Sequence, residues 1–192
     1  AGFVLRRETT RFEWRRVGGL SAVPRRLEFR TLDEVGEEAF VGAIERVSEG
    51  TLDREIQDER DEHGPAGAAR QFFELELKLE YDPAWCKLAY APDGGLVGLV
   101  MPARNPTYAV INYIGVVPEH RGRGYVDDLL AEGTVALHAA GAEYVRADTD
   151  TRNLPMAAAF GRAGYAEFAK RREYGVKLYP VATTDHDASR VE

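Results

Sequence analysis

A strand that passes through a loop rich in glycine and arginine into a helix is the feature that most limits how this chain can fold. The apolar, β-branched run 109–117 is bounded by Asn105-Pro106 and by Pro118, which predicts a buried strand. Beyond the loop, apolar residues recur at helical spacing from Val126 until Gly141, which predicts a long helix. The loop therefore lies at the N-terminus of that helix.

This loop has the properties of an anion-binding site. The first N–H groups of a helix lack partners and carry a positive partial charge, and Gly122 and Gly124 let the backbone approach an anion closely. Arg121 and Arg123 add fixed positive charges, so a diphosphate is the expected guest. The loop has neither the Gly-Lys-Ser/Thr of a Walker motif nor the third glycine of the dinucleotide fingerprint, which Asp127 replaces.

A second motif follows at 148–165, where a strand, Asn153, a short helix and the pair Gly164-Tyr165 come in order. Together the two motifs resemble the GCN5-related N-acetyltransferase (GNAT) family, whose coenzyme A loop is written Arg/Gln-x-x-Gly-x-Gly/Ala. The chain matches this pattern at Arg121 and Gly124 and departs from it at Val126.

The resemblance implies an α/β (α+β) domain of the acyl-CoA N-acyltransferase-like kind. Its mixed central sheet would have about six to seven strands and about four flanking helices. Its parallel central strands, ending near Val117 and Asp148, would splay apart. We place this domain at residues 26–179, after an N-terminal arm or extra strands at 1–25 and before a polar tail at 180–192.

The resemblance also implies how acetyl-CoA would bind. Its phosphates would meet the loop, and the pantetheine arm would follow the strand edge near Ile114 and Val116. Asn153 would hydrogen-bond the pantetheine or a water, or cap the following helix, since asparagine is a preferred cap. Phe160 occupies the place of a tyrosine on the short helix that many members use as an acid. The implied loop contacts are Arg121, Gly122, Arg123, Gly124, Tyr125 and Val126.

The groups that carry protons are the weak point of the resemblance. Many members place a glutamate on the strand before the loop, where this chain has Asn112. Asn112 could hold a water that passes a proton to bulk solvent or to a carboxylate elsewhere, such as Glu80. Alternatively Tyr165 or Tyr174 could lend a hydroxyl group. The third alternative is a protein that binds acyl-CoA without turning it over.

The predicted function is therefore an acyl-CoA-dependent N-acetyltransferase that moves an acetyl group directly to the amine of a small molecule. The alternative is a catalytically weak or inactive acyl-CoA-binding or regulatory module. The net charge of −7 favours a cationic acceptor over nucleic acid. Residues 1–30 carry +5 and residues 31–64 carry −9, so the arginines of the first segment are expected to find acidic partners.

Composition excludes several other classes. Cys86 is the only cysteine, which predicts no disulfide and a cytoplasmic location. No His-Glu-x-x-His motif or cysteine pair predicts a metal, and no run is apolar enough to span a membrane. A homodimer is left open.

Local patterns complete the set of predicted elements. Residues 3–16 and 26–31 are expected to be strands, and a capping box at Thr31 and Glu34 starts a helix. Segments 51–62 and 66–80 are predicted to be helical, and 87–91 pairs with 96–103 as a hairpin. We expect 165–168 and 173–179 to form a closing antiparallel pair.

Overall fold

The computed structural model describes residues 2–16 and 26–176. The predicted link through Gly18-Gly19 and Pro24, the end of the last strand at 177–179 and the polar tail at 180–192 lie outside these ranges. The strands are β1 (Phe3–Arg15), β2 (Glu28–Thr31), β3 (Lys87–Tyr90), β4 (Leu96–Arg104), β5 (Ala109–Val116), β6 (Tyr144–Asp150) and β7 (Ala166–Val176). The helices are α1 (Leu32–Val35), α2 (Glu37–Val47), α3 (Arg54–Glu76), α4 (Tyr125–Ala139) and α5 (Leu154–Arg162).

All seven described strands form one mixed sheet in the order β2-β3-β4-β5-β6-β1-β7. Every pair of neighbours is antiparallel except β5 and β6, which are parallel. Their parallel ladder is short: Ala109 pairs with Val145 and Val110 with Arg146, and no later pair follows. The predicted mixed sheet, with central parallel strands that diverge, is confirmed.

The end of the sheet differs from the prediction. β7 is one continuous strand rather than two strands joined by a turn, and its partner is β1. The segment 169–172 carries no glycine, proline or asparagine that would turn the chain, so the strand runs straight through it. β1 in turn is an internal strand, paired on its other side with β6, and its buried Phe12 and Trp14 alternate with polar residues.

Each face of the sheet carries its own core. On one face α4 and α5 pack over the sheet, around Leu129, Leu130 and Phe160. On the other face α2 and α3 pack over β3, β4 and β5, around Phe40, Ile44 and Phe73. The two cores hold β5 between them, so its position relative to β6 is fixed from both sides.

Proline explains an irregularity in the middle of the sheet. Pro102 of β4 has no N–H to give to the ladder, and the register with β5 shifts there: Met101 faces Tyr113 while Pro102 faces Ile111. Asn112 is therefore the extra residue of a β-bulge. This bulge lies two residues beyond Val110, where the parallel ladder with β6 ends.

Candidate functional site

The loop between β5 and α4 presents a row of backbone donors. The chain leaves β5 through a 3-10 turn at Pro118–His120, and Gly122 and Gly124 then take φ values of 75° and 74°, which suit glycine. Over the described chain, no protein acceptor meets the N–H groups of residues 122–126. Five successive donors at the start of a helix form a site for an anion.

Arg121 belongs to this loop, but its guanidinium group faces the protein backbone. Nε donates to the carbonyl of Val116 at 3.0 Å, and Nη2 donates to the carbonyls of Val47 at 3.0 Å and Glu49 at 2.6 Å. Arg121 thus joins the end of β5 to the segment that follows α2. Arg123 is exposed, and its Nη1 lies 3.5 Å from His120 Nδ1.

Arg26 supports the loop, and sequence reasoning did not find it. Its guanidinium group donates to the carbonyls of Arg123, at 3.1 Å, and Gly124, at 2.9 Å. It also pairs with the buried carboxylate of Asp128 and lies over the ring of Tyr125, 5.0 Å from its centroid. These contacts engage carbonyl groups of the loop, while the N–H groups of residues 122–126 have no protein acceptor in the described chain. No local pattern could have linked Arg26 to a loop about 100 residues later.

The loop lies at the end of a gap in the sheet. β5 and β6 separate beyond Val110 and Arg146, so Ile114 and Val116 are only partly buried and lie along the open edge of β5. Both side chains pack against the core beneath α4. The loop between β5 and α4 and the edge predicted to receive the pantetheine arm are therefore continuous.

A partly buried carboxyl group at the end of α3 meets the bulge. Asn112 Nδ2 donates to the carboxylate of Glu76, the last residue of α3. Burial raises the pKa of Glu76 to about 7, and the Asn112 hydrogen bond opposes this rise. The predicted relay to Glu80 is not the contact that forms, because Glu80 is exposed and its backbone pairs with Arg104.

The other predicted residues lie in the framework around the site. Tyr165 is 4% exposed and its hydroxyl lies 2.6 Å from that of Thr134; burial, opposed by this hydrogen bond, raises the pKa of its phenol. Phe160 is 1% exposed and stacks on Phe12. Asn153 caps α5 by accepting from the N–H of Met156 at 3.2 Å. Its Nδ2 group is not used by this cap.

Ion pairs join the start of α3 to the end of β6 and to β1. Asp150, at the end of β6, accepts hydrogen bonds from the side chain of Arg54 at 3.1 Å and from the N–H of Arg152 at 2.9 Å. Burial alone would raise the pKa of Asp150, but these hydrogen bonds outweigh it and lower the pKa. Arg7 of β1 pairs with Asp53 and Glu55 at the start of α3. Four arginines of the first segment thus have acidic partners in the described chain: Arg7, Arg11, Arg15 and Arg26.

A mixed sheet that opens between two parallel strands, next to a helix start with unpartnered donors, defines the acyl-CoA N-acyltransferase-like class. Within that class the chain belongs to the acetyltransferase (GNAT) family, whose model matches residues 51–165. Acetyl-CoA is the acyl donor that this membership implies. No curated protein sequence matches the chain significantly.

Solved structures agree with this assignment at the level of the fold. A GCN5-related N-acetyltransferase from Sphaerobacter thermophilus has a TM-score of 0.66 and 21% identity, over 92% of this chain and 55% of that one. A GNAT-family acetyltransferase from Colwellia psychrerythraea has a TM-score of 0.59 and 16% identity, over 90% of this chain and 56% of that one. The chain therefore spans about half the length of these two proteins. A protein from Pyrococcus horikoshii has a TM-score of 0.61 and 14% identity, over 77% of this chain and 94% of that one.

Residues 2–16 and 26–176 contain neither a cluster of metal ligands nor a membrane-spanning helix. Among them, no three histidine, cysteine, aspartate or glutamate side chains come together as a metal site. None of the helices in these ranges has the length and apolar character needed to cross a membrane.

Proposed function

We propose that the chain is an N-acetyltransferase that transfers the acetyl group of acetyl-CoA directly to the amine of a small molecule. The observation that carries this proposal is the row of five backbone donors at residues 122–126, placed at the end of the gap between β5 and β6. Such a row binds a diphosphate, and the open strand edge beside it offers backbone groups to an extended chain.

Most of the predicted contacts have a role in this proposal. The N–H groups of Gly122 to Val126 bind the diphosphate, with Arg123 as the nearby positive charge. The pantetheine arm follows Ile114 and Val116, and Asn153 offers its Nδ2 group to it. We propose no ligand role for Tyr165 or Phe160, since both are buried in the core beneath α4 and α5.

The acceptor is proposed to be a small cationic amine. The net charge of −7 favours cations over anionic partners such as nucleic acid. Among the acidic side chains on the strands and helix that border the gap, Glu76 has no cationic partner in the described chain. The cytoplasmic location stays a prediction from the single cysteine.

Calorimetric titration with coenzyme A tests the binding part of the proposal. In the variant Gly124→Ala, a side chain is forced into a backbone conformation that L-residues rarely adopt, and we expect coenzyme A to bind at least ten times more weakly. Gly141→Ala is the matched control, because Gly141 has a φ of 90° at the other end of the same helix. Equal affinity of the two variants would refute the assignment of the loop.

Release of free thiol from acetyl-CoA tests the transfer part. The wild-type protein is expected to release thiol in the presence of at least one amine among spermidine, glucosamine and lysine amide. Binding of coenzyme A without thiol release from any amine of a broad panel would favour the acyl-CoA-binding module instead.

A further inference from the structure

We infer that Glu76 takes the proton from the acceptor amine and that Asn112 holds the Glu76 carboxylate in position for this step. The inference rests on the proposed function, since it names the residue that makes the amine reactive. It assigns the proton transfer to the end of α3 instead of to the strand before the loop, where Asn112 stands.

The position of the bulge is the first argument. Asn112 lies four residues before Val116, which is about 13 Å along a strand, and two residues after the last parallel pair. It is therefore at the closed end of the gap, opposite to the phosphate loop. An extended chain bound by its phosphates at residues 122–126 and following Ile114 would bring its other end close to Asn112.

The side of the sheet is the second argument. Ile111 and Ile114 belong to the core beneath α4, whereas Tyr113 belongs to the core beneath α2 and α3. Asn112 contacts Glu76, so its side chain points to the α3 face. A donor lying in the gap would thus have the carboxylate on the face away from α4, and the acceptor would approach from that face.

The surroundings of Glu76 leave its carboxylate able to accept a proton. Its only hydrogen-bond partner in the described chain is Asn112, and no cation neutralises it. The titratable groups that face it are Cys86, Tyr81 and Tyr113. Burial raises the pKa of Cys86 to about 12 and also raises the pKa of both tyrosines, so these groups are neutral at neutral pH. Because its pKa is about 7, Glu76 has both the base and the acid form available there.

The reaction balances with this single base. The ammonium form of the acceptor gives one proton to the Glu76 carboxylate, directly or through one water. The nitrogen then forms a bond to the thioester carbonyl carbon, and the carbon–sulfur bond breaks. The thiolate takes the second nitrogen proton and leaves as coenzyme A, and Glu76 returns its proton to the solvent.

The kinetic test compares Glu76→Gln with Glu74→Gln, which removes an exposed carboxylate two residues earlier on the same helix. Thiol release from acetyl-CoA is measured between pH 5.5 and 9 with the best amine among spermidine, glucosamine and lysine amide. We expect Glu76→Gln to lower kcat/KM about 10² to 10⁴-fold and to abolish the rise centred near pH 7. Its affinity for coenzyme A should stay within twofold of wild type.

The variant Asn112→Ala gives a second test, a shift in the pH profile of kcat/KM. A purely structural role of Asn112 would not produce this shift. The hydrogen bond from Asn112 lowers the pKa of Glu76, so its loss should move the rise in kcat/KM to higher pH. A wild-type rate and pH profile in Glu76→Gln would overturn the inference while the transferase stands. A wild-type protein that releases no thiol would overturn the proposed transfer itself.

A third measurement needs neither acetyl-CoA nor an amine. The folded protein binds the Glu76 proton more tightly than the unfolded chain, whose glutamates titrate near pH 4.3. Wild-type stability should therefore fall as the pH rises through about 7, whereas Glu76→Gln has no such proton to lose. The Tm of Glu76→Gln minus that of wild type is expected to increase between pH 5 and pH 8. A constant difference would overturn the inference.

Discussion

Replacing Arg121 with methionine separates two roles that the same guanidinium group could have. The sequence pattern predicts that Arg121 supports the bound diphosphate. The structure gives its Nε and Nη2 atoms three carbonyl partners, on Val116, Val47 and Glu49. We therefore expect Arg121→Met to act mainly on the stability of the fold.

The magnitude follows from these three bonds. A hydrogen bond from a charged donor contributes about 1.5–3 kcal/mol when it is buried, and Arg121 is an exposed residue, so water replaces part of each bond. A total loss of about 2 kcal/mol is expected. For a domain of this size, that lowers the Tm by roughly 4–8 °C.

Arg123→Met is the matched control, since Arg123 is exposed and its side chain makes no carbonyl contact in the described chain. Its Tm should change by less than about 2 °C, because surface substitutions seldom exceed about 0.5 kcal/mol. Its coenzyme A affinity should fall at low salt and recover toward wild type at high salt, because salt screens an exposed charge.

The decisive assay combines thermal unfolding without ligand and coenzyme A titration at two salt concentrations. If Arg121→Met kept the wild-type Tm, and if its loss of coenzyme A affinity disappeared at high salt, the role as a link between β5 and the α2–α3 segment would be refuted. The guanidinium group would then serve the anion directly.

Two further predictions concern buried groups. Phe160→Tyr places a hydroxyl group in a core position that is 1% exposed, so we expect a loss of about 1–3 kcal/mol in unfolding free energy; a higher turnover with unchanged Tm would contradict this. The pKa of Asp150 is lowered in the folded state, so its stabilising contribution is present above the unfolded value near 3.9 and is lost as the pH falls below it. Thermal unfolding should show Asp150→Asn about 3 kcal/mol less stable at pH 7, with a smaller difference at pH 3 than at pH 7. A difference of equal size at both pH values would show that the charge of the carboxylate does not matter.

The elements predicted most accurately are those whose signals are local. β5, the glycine loop and α4 follow from one continuous stretch, where branched apolar residues, two glycines and a helical period succeed one another. The hairpin of β3 and β4 likewise follows from the turn 92–95 between two apolar runs. The capping box at Thr31 and Glu34 starts a helix as predicted, and Gly36 then separates α1 from α2.

The parts that sequence reasoning missed depend on contacts between distant residues. Nothing in the pattern of β1 shows that it enters the sheet between β6 and β7, because an alternating strand can pair at many positions. Glu76 was missed for a related reason. Its contact with Asn112 depends on where α3 ends above β5, and a shift of one residue in the helix would point another side chain there.

The internal position of β1 in the sheet has consequences for folding and for truncation of the chain. Thr9 pairs with Asp150 and Phe3 with Val176, so these residues meet their partners only after 141 and 173 further residues have been synthesised. Contacts of such long separation slow folding, and until they form, β6 and β7 each expose an open edge that other chains can join. Removing residues 2–16 as a dispensable extension would divide the sheet in two and leave a protein prone to aggregate.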